Sequence, residues 1–197
     1  MKKAVLFSIK PKHCEQIISG KKTVEVRKRI PKISVPFTAY IYETKGRKII
    51  TPAGGVLHEG RGKVIGEFIC NRILCRTPLS LIVKEEAERI LKGTCLSEDE
   101  LLKYIGYQKG TDIYAKDYSF YLLHISDLVI YEEPKDLSEF KTFCKSYYDG
   151  DKCDDCKYFI NGDCYEYDES DCGCNGLKPI ERPPQSWCYV EKLRGVG

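Results

Sequence analysis

Short apolar runs alternate with polar punctuation along this chain, and the period of each run predicts its element. Val5 to Ile9 is an apolar run of strand length. Lys10 to Gly20 then places Cys14, Ile17 and Ile18 at i, i+3 and i+4, with Pro11 in the first turn and Gly20 as the stop, which predicts a helix. Thr23 to Arg27 alternates with period two, so Val24 and Val26 point inward while Thr23, Glu25 and Arg27 share the other face. Thr38 to Glu43 predicts another strand, in which Ala39 and Ile41 oppose Tyr40 and Tyr42. Lys63 to Cys70 is apolar on both parities, as in a strand covered on both sides of a closed or helix-covered sheet. Leu79 to Leu91 and Ser97 to Ile105 read as helices, the second opened by a capping box from Ser97 and Glu100. Phe120 to Ile125 and Leu128 to Tyr131 return to strand. The glycine-rich connection from Gly46 to Gly62, carrying Arg47, Lys48 and Arg61, is of the long kind that is either disordered or functional. After Pro134 the composition shifts to Asp, Cys, Gly and Tyr, which predicts a boundary between residues 1–135 and 136–197.

Size limits what this pattern can build. A chain of 197 residues has room for one ordinary domain and a small appendage, and two full catalytic domains are excluded. No apolar run approaches the roughly 20 residues of a membrane span. The N-terminus offers two lysines and a short apolar stretch but no small-residue cleavage site, so a cytoplasmic protein without membrane contact is expected. The overall charge of +3 conceals two unlike parts: residues 1–63 hold 15 Lys and Arg against four Glu, +11, and the remainder holds 17 against 25, −8. A basic front part suits a polyanion such as nucleic acid, while the acidic remainder opposes binding over the whole surface.

Candidate chemistry gathers in the first strands. Glu25 and Arg27 project from one face, where a carboxylate can accept from an exocyclic amine and a guanidinium can meet a phosphate or base edge. The same two groups can also pair with each other across that face. Tyr40 and Tyr42 are candidates for stacking unpaired bases or half-buried sheet residues. His13, His58 and His124 have no spacing that suggests a metal site or a triad and are expected in core or surface roles. Cys14, Cys70, Cys75 and Cys95 read as small buried hydrophobes. No nucleophile-elbow, phosphate-loop or dinucleotide pattern occurs.

The segment Ser8-Ile9-Lys10-Pro11-Lys12, followed by Gly20-Lys21-Lys22-Thr23-Val24-Glu25-Val26-Arg27, resembles the ASCH family, whose members share a PUA-like β-barrel and a G-x-K-x-x-E-x-R motif. Gly20, Lys22, Glu25 and Arg27 fill that motif, and Tyr40 to Thr44, Gly62 to Phe68 and His124 to Leu128 also look like ASCH strands. The resemblance covers roughly residues 3 to 135. It implies an α+β fold with flanking helices and a cleft that recognises RNA or a modified nucleotide through Lys10, Lys22, Glu25, Arg27 and Tyr42. Strand parity alone would put Lys21, not Lys22, on the Glu25 face; the family motif selects Lys22. One branch of the family hydrolyses N4-acetylcytidine with a lysine, a threonine and a glutamate. Here the lysine falls on Lys22, but Glu25 stands in place of the threonine, and Glu88 is the candidate for the third member. A hydrolase using Lys22 and Glu25, or a ribonuclease, is the alternative reading, and a protein-interaction adaptor is a third.

Eleven cysteines are several times ordinary usage, and six lie between Cys144 and Cys174. In a reducing compartment such a cluster reads as a metal site. Cys153 and Cys156 form a C-x-x-C pair suited to a tetrahedral ion, with Cys144, Cys164, Cys172, Cys174 and Cys188 as possible partners. The tail also resembles one found beside ASCH-like domains of phage and bacterial proteins. That likeness implies a structural Zn2+ on Cys144, Cys153, Cys156 and Cys172.

Overall fold

The computed structural model of the chain describes residues 2–50, 56–81, 83–108, 118–144 and 176–193. Strand β1 (Lys3–Ile9) leads into helix α1 (Pro11–Ile18), then β2 (Val24–Arg27) and β3 (Phe37–Glu43). A short ribbon of β4 (Lys48–Ile50) and β5 (Val56–His58) precedes the long β6 (Lys63–Arg76). Helices α2 (Lys84–Thr94) and α3 (Glu98–Ile105) follow, then β7 (Phe120–Lys135), β8 (Lys141–Phe143), β9 (Leu177–Pro179) and β10 (Trp187–Glu191). Eight strands form one sheet in the order β2-β7-β6-β3-β1-β10-β8-β9, and β4 and β5 pair separately. Only β1 and β3 run parallel within that sheet, which requires the crossover that α1 and β2 supply.

Both faces of β1 are covered, which explains its unbroken apolar run. Val5, Phe7 and Ile9 pack with Cys14 and Ile17 of α1, Ile41 and Phe68. Ala4 and Leu6 pack on the other side with Tyr40, Tyr42, Phe140 and Val190. A third cluster joins Val26 of β2 and Phe120 of β7 to Ile90 of α2 and Leu101 of α3. Each of these large side chains contributes roughly 1.5 to 3 kcal/mol by leaving water. Ser97 and Glu100 do form the expected capping box on α3.

Several expectations are corrected. The helix expected from Leu79 begins only at Lys84, because Pro78 to Leu81 forms a 3-10 turn, and it runs on to Thr94. The two strands expected over 120–131 are one strand to Lys135, bent where Asp127 adopts a left-handed φ of 48° and the register with β6 shifts. The glycine-rich connection contains the β4–β5 ribbon, whose residues 51–55 lie outside the described residues. Cys75 is exposed and Cys95 half-buried, whereas Cys14 and Cys70 are in the core as expected.

The chain also does not part at residue 135. Strand β10 pairs with β1 from Lys3↔Glu191 to Phe7↔Trp187, and Phe140, Ile180 and Val190 complete the second core cluster. The composition shift marks the segment 145–175, which holds Cys153, Cys156, Cys164, Cys172 and Cys174 and lies outside the described residues. Strands β8 and β9 pair on either side of it. Among the described residues, no helix is long and apolar enough to cross a membrane.

A closed barrel is not what forms. Among the described residues, strands β2 and β9 are the sheet's two edges, with no ladder between them. β2 curls back towards β1, but side chains bridge the seam: Arg27 Nη2 donates to Ser8 O at 2.9 Å, and Trp187 Nε1 donates to Arg29 O at 3.1 Å. Strand β2 is four residues long, and Glu25 and Arg27 share one of its faces at this seam.

Candidate functional site: a charged cleft at the open seam

Where the sheet fails to close, a cleft of about 1040 Å³ opens. Its walls come from the end of β1 (Ser8, Ile9, Lys10), from His13 of α1, from β2 and the two residues after it, from Glu100, Lys103 and Tyr104 of α3, and from Gln185, Ser186 and Trp187. Motif residues Lys22, Glu25 and Arg27 also line it.

Local structure explains the motif. Gly20 closes α1 with a φ of +70°, a conformation that a side chain disfavours, and the turn delivers Lys22 and then β2. Lys22 is 3% exposed and makes three contacts: Val24 O at 2.9 Å, Thr94 O at 2.9 Å and Glu25 Oε2 at 3.4 Å. Thr94 is the last residue of α2, so the ammonium sits at the negative end of that helix. The ammonium is thereby held by two backbone carbonyls and the Glu25 carboxylate. Lys22 therefore faces Glu25 as the motif indicated, and parity misleads because residue 22 precedes the strand.

Glu25 is held from both sides. Arg27 Nη2 lies 3.0 Å from Oε1, opposite the Lys22 contact. Burial pushes the Glu25 carboxyl up, but the Lys22 ammonium first, then Arg27 and His13, outweigh it and hold the group below its ordinary value. The carboxylate is therefore ionised at neutral pH, and each oxygen keeps acceptor capacity beyond its one ion-pair contact. Arg27 is fixed by Ser8 O, by Ser186 Oγ at 3.2 Å and by Phe7, whose ring centroid is 5.1 Å from the guanidinium carbon. Glu25 and Arg27 thus pair with each other, and both line the cleft.

Of the residues singled out by sequence, Lys10, Lys22, Glu25 and Arg27 come together here and Tyr42 does not. Tyr42 is 4% exposed in the second core cluster, on the opposite side of the sheet, where no base can stack. Its strand is buried along its whole length, so alternation could not tell a cleft face from a core face. Glu88 is exposed on α2 and away from the cleft walls; the acidic residue that α3 supplies is Glu100, paired with Lys12 at 3.2 Å. Cys188 lies in β10 against the second core cluster. Cys144 is buried, and its N–H donates to Gly176 O at 2.8 Å. Cys153, Cys156 and Cys172 lie outside the described residues. Among the described residues there is no cluster of three or more potential metal ligands.

Other cleft residues escaped sequence reasoning. His13, whose Nδ1 lies 3.0 Å from Gln16 Oε1, lines the cleft. Tyr104, with Lys28 Nζ 5.7 Å from its ring centre, and Trp187 supply aromatic walls. The alternation Trp187-Cys188-Tyr189-Val190 was the signal for β10: Trp187 and Tyr189 face the first core cluster, Cys188 and Val190 the second.

An open, curled α+β sheet with a charged cleft at its seam is the architecture these residues define, and the fold is that of ASCH domain proteins. An ASCH protein of Zymomonas mobilis, crystallised as a serine-to-alanine variant, matches with a TM-score of 0.51 at 20% identity over 96% of this chain and 89% of its own. A tyrosine-to-phenylalanine variant of that protein gives 0.47 at 25% identity over 69% of this chain and 77% of its own. ASCH from the same organism gives 0.46 at 25% identity over 68% and 73%. The sequence matches no protein-family model and no curated protein.

Proposed function

We propose that the cleft reads RNA, or a modified nucleotide within it, without turning it over. The observation that carries this reading is the ionised Glu25, fixed by Lys22 and Arg27 and facing a cavity large enough for a nucleotide. A preset carboxylate accepts from the exocyclic amine of a base, as glutamate does from cytosine N4. Lys10, Lys28, Arg29 and Lys103 at the cleft suit phosphates, and Tyr104 and Trp187 suit stacking. Lys22, held by Val24 O and Thr94 O beside Glu25, is placed to fix that carboxylate, which favours reading over hydrolysis. Glu25→Gln should weaken binding of single-stranded RNA, and in the parent protein log affinity should fall linearly with log salt. Binding that is absent, or indifferent to salt, would remove the reading. Steady release of acetate from N4-acetylcytidine, abolished by Lys22→Ala, would replace it with the hydrolase.

The same reading includes one structural zinc per chain on Cys144, Cys153, Cys156 and Cys172. Cys144 fits that role: the backbone bond to Gly176 ties it to the point where the cysteine-bearing segment 145–175 returns to the sheet. Four thiolates would fold that segment without leaving an open coordination position. Elemental analysis of protein purified without chelator should find one zinc per chain, and finding none would refute the assignment.

A further inference from the structure

We propose that the β4–β5 ribbon is a second, phosphate-binding surface, so that the ligand of the cleft is a single-stranded oligonucleotide rather than a free nucleoside; this rests on the cleft reading above. The ribbon is built onto the cleft wall. A Cβ on Gly60 would stand 2.1 Å from Thr44 O and 2.6 Å from Pro11 Cγ, and one on Gly46 would stand 3.2 Å from the same Pro11 atom. Thr44 and Lys10, the neighbour of Pro11, both line the cleft. Only glycine allows this approach, so the base of the ribbon is seated against the cleft's rim. Backbone bonds close the ribbon at that base: Glu59 N donates to Arg47 O at 3.1 Å and Gly60 N to Lys45 O at 3.0 Å.

Charge then adds to this placement beside the cleft. Lys45, Arg47 and Lys48 are all exposed, and among the described residues none of them is in an ion pair. The two nearby carboxylates form no ion pair with these three side chains among the described residues. Glu59 accepts from the Arg47 backbone N–H at 3.3 Å. Glu43 is buried and holds Arg61 through its backbone N–H at 3.0 Å and its guanidinium at 3.6 Å. Together with Lys10 these three cations form a basic run leading from the cleft rim onto the ribbon. A nucleoside seated in the cleft has no phosphate to meet them. A strand continuing out of the cleft presents one phosphate per nucleotide, and each contact releases counterions.

The test compares cytidine monophosphate with a single-stranded RNA of about ten nucleotides, within the range one binding fold accommodates. The triple variant Lys45→Gln/Arg47→Gln/Lys48→Gln should bind the oligonucleotide about tenfold more weakly, with a salt slope lower by about 2, and bind the mononucleotide unchanged. The control Lys141→Gln/Lys178→Gln/Lys192→Gln neutralises three exposed lysines near the far edge of the sheet and should alter neither ligand. Equal weakening by the control would show diffuse attraction and overturn the proposal. So would an oligonucleotide that binds the parent no tighter than the mononucleotide, although the cleft reading would survive that result; if neither ligand binds, both fall. Loss of binding to phosphatidylserine vesicles in the ribbon variant, with the oligonucleotide unaffected, would reassign the ribbon to a lipid surface.

Discussion

The two sides of the central sheet bury polar groups in opposite ways. On the side of the second core cluster the polar groups are mostly tyrosines, and their bonds stay within the protein: Tyr40 Oη accepts from Leu193 N at 2.9 Å, and Tyr131 donates to Glu67 Oε2 at 2.6 Å. Burial keeps these phenols neutral; it pushes Tyr40 up to about 12. At the seam, by contrast, three ionised side chains are less than a tenth exposed and border a cavity. Desolvating ions costs several kcal/mol apiece, and a well-packed apolar set is often as stable. The arrangement across the sheet satisfies its buried phenols without a cluster of three buried ions. Under the proposed reading, the charged one serves what it presents to a ligand.

The contrast can be broken by single substitutions. Arg27→Ala leaves Glu25 with one cation and strips the seam of its bridge to Ser8 and Ser186, so it should cost about 3 to 5 kcal/mol in urea unfolding. Tyr131→Phe removes one hydrogen bond from a half-buried carboxylate and should cost about 1 kcal/mol by the same measurement. Similar losses from the two would mean that the ion pairs are no more critical than ordinary contacts.

Acid should sharpen the difference. Because Glu25 is held below its ordinary value in the folded chain, its contribution is fully present above the carboxylate range and is lost as pH falls through the folded value. Glu25→Gln should lower stability at neutral pH yet flatten its decline towards acid, as measured by urea unfolding at several pH values. A variant whose stability falls as steeply as that of the parent would place the acid-sensitive group elsewhere.

How much of this was legible in the sequence depended on whether the signal was local. Helix α3 announced itself through Ser97 and Glu100, and β2 through its alternation, because caps and strand parity are set within a few residues. The partnership of Lys22 with Glu25 was visible only through the family motif, since the contact with Thr94 depends on where α2 ends. Tyr42 was misassigned because a strand covered on both faces gives no clue to which side faces a ligand. The cleft wall from β10 was hidden for another reason: cysteine-rich composition suggested a separate element, while pairing with β1 is a long-range fact that no window of sequence contains.

That pairing also fixes when the protein can work. During synthesis β1 emerges first, but its neighbour β10, and with it Ser186 and Trp187, is made more than 170 residues later. Until then the first strand has an unpaired edge and Arg27 lacks one of its anchors. A nascent or prematurely terminated chain therefore has no complete cleft, and under the proposed reading ligand capture waits until translation has passed β10.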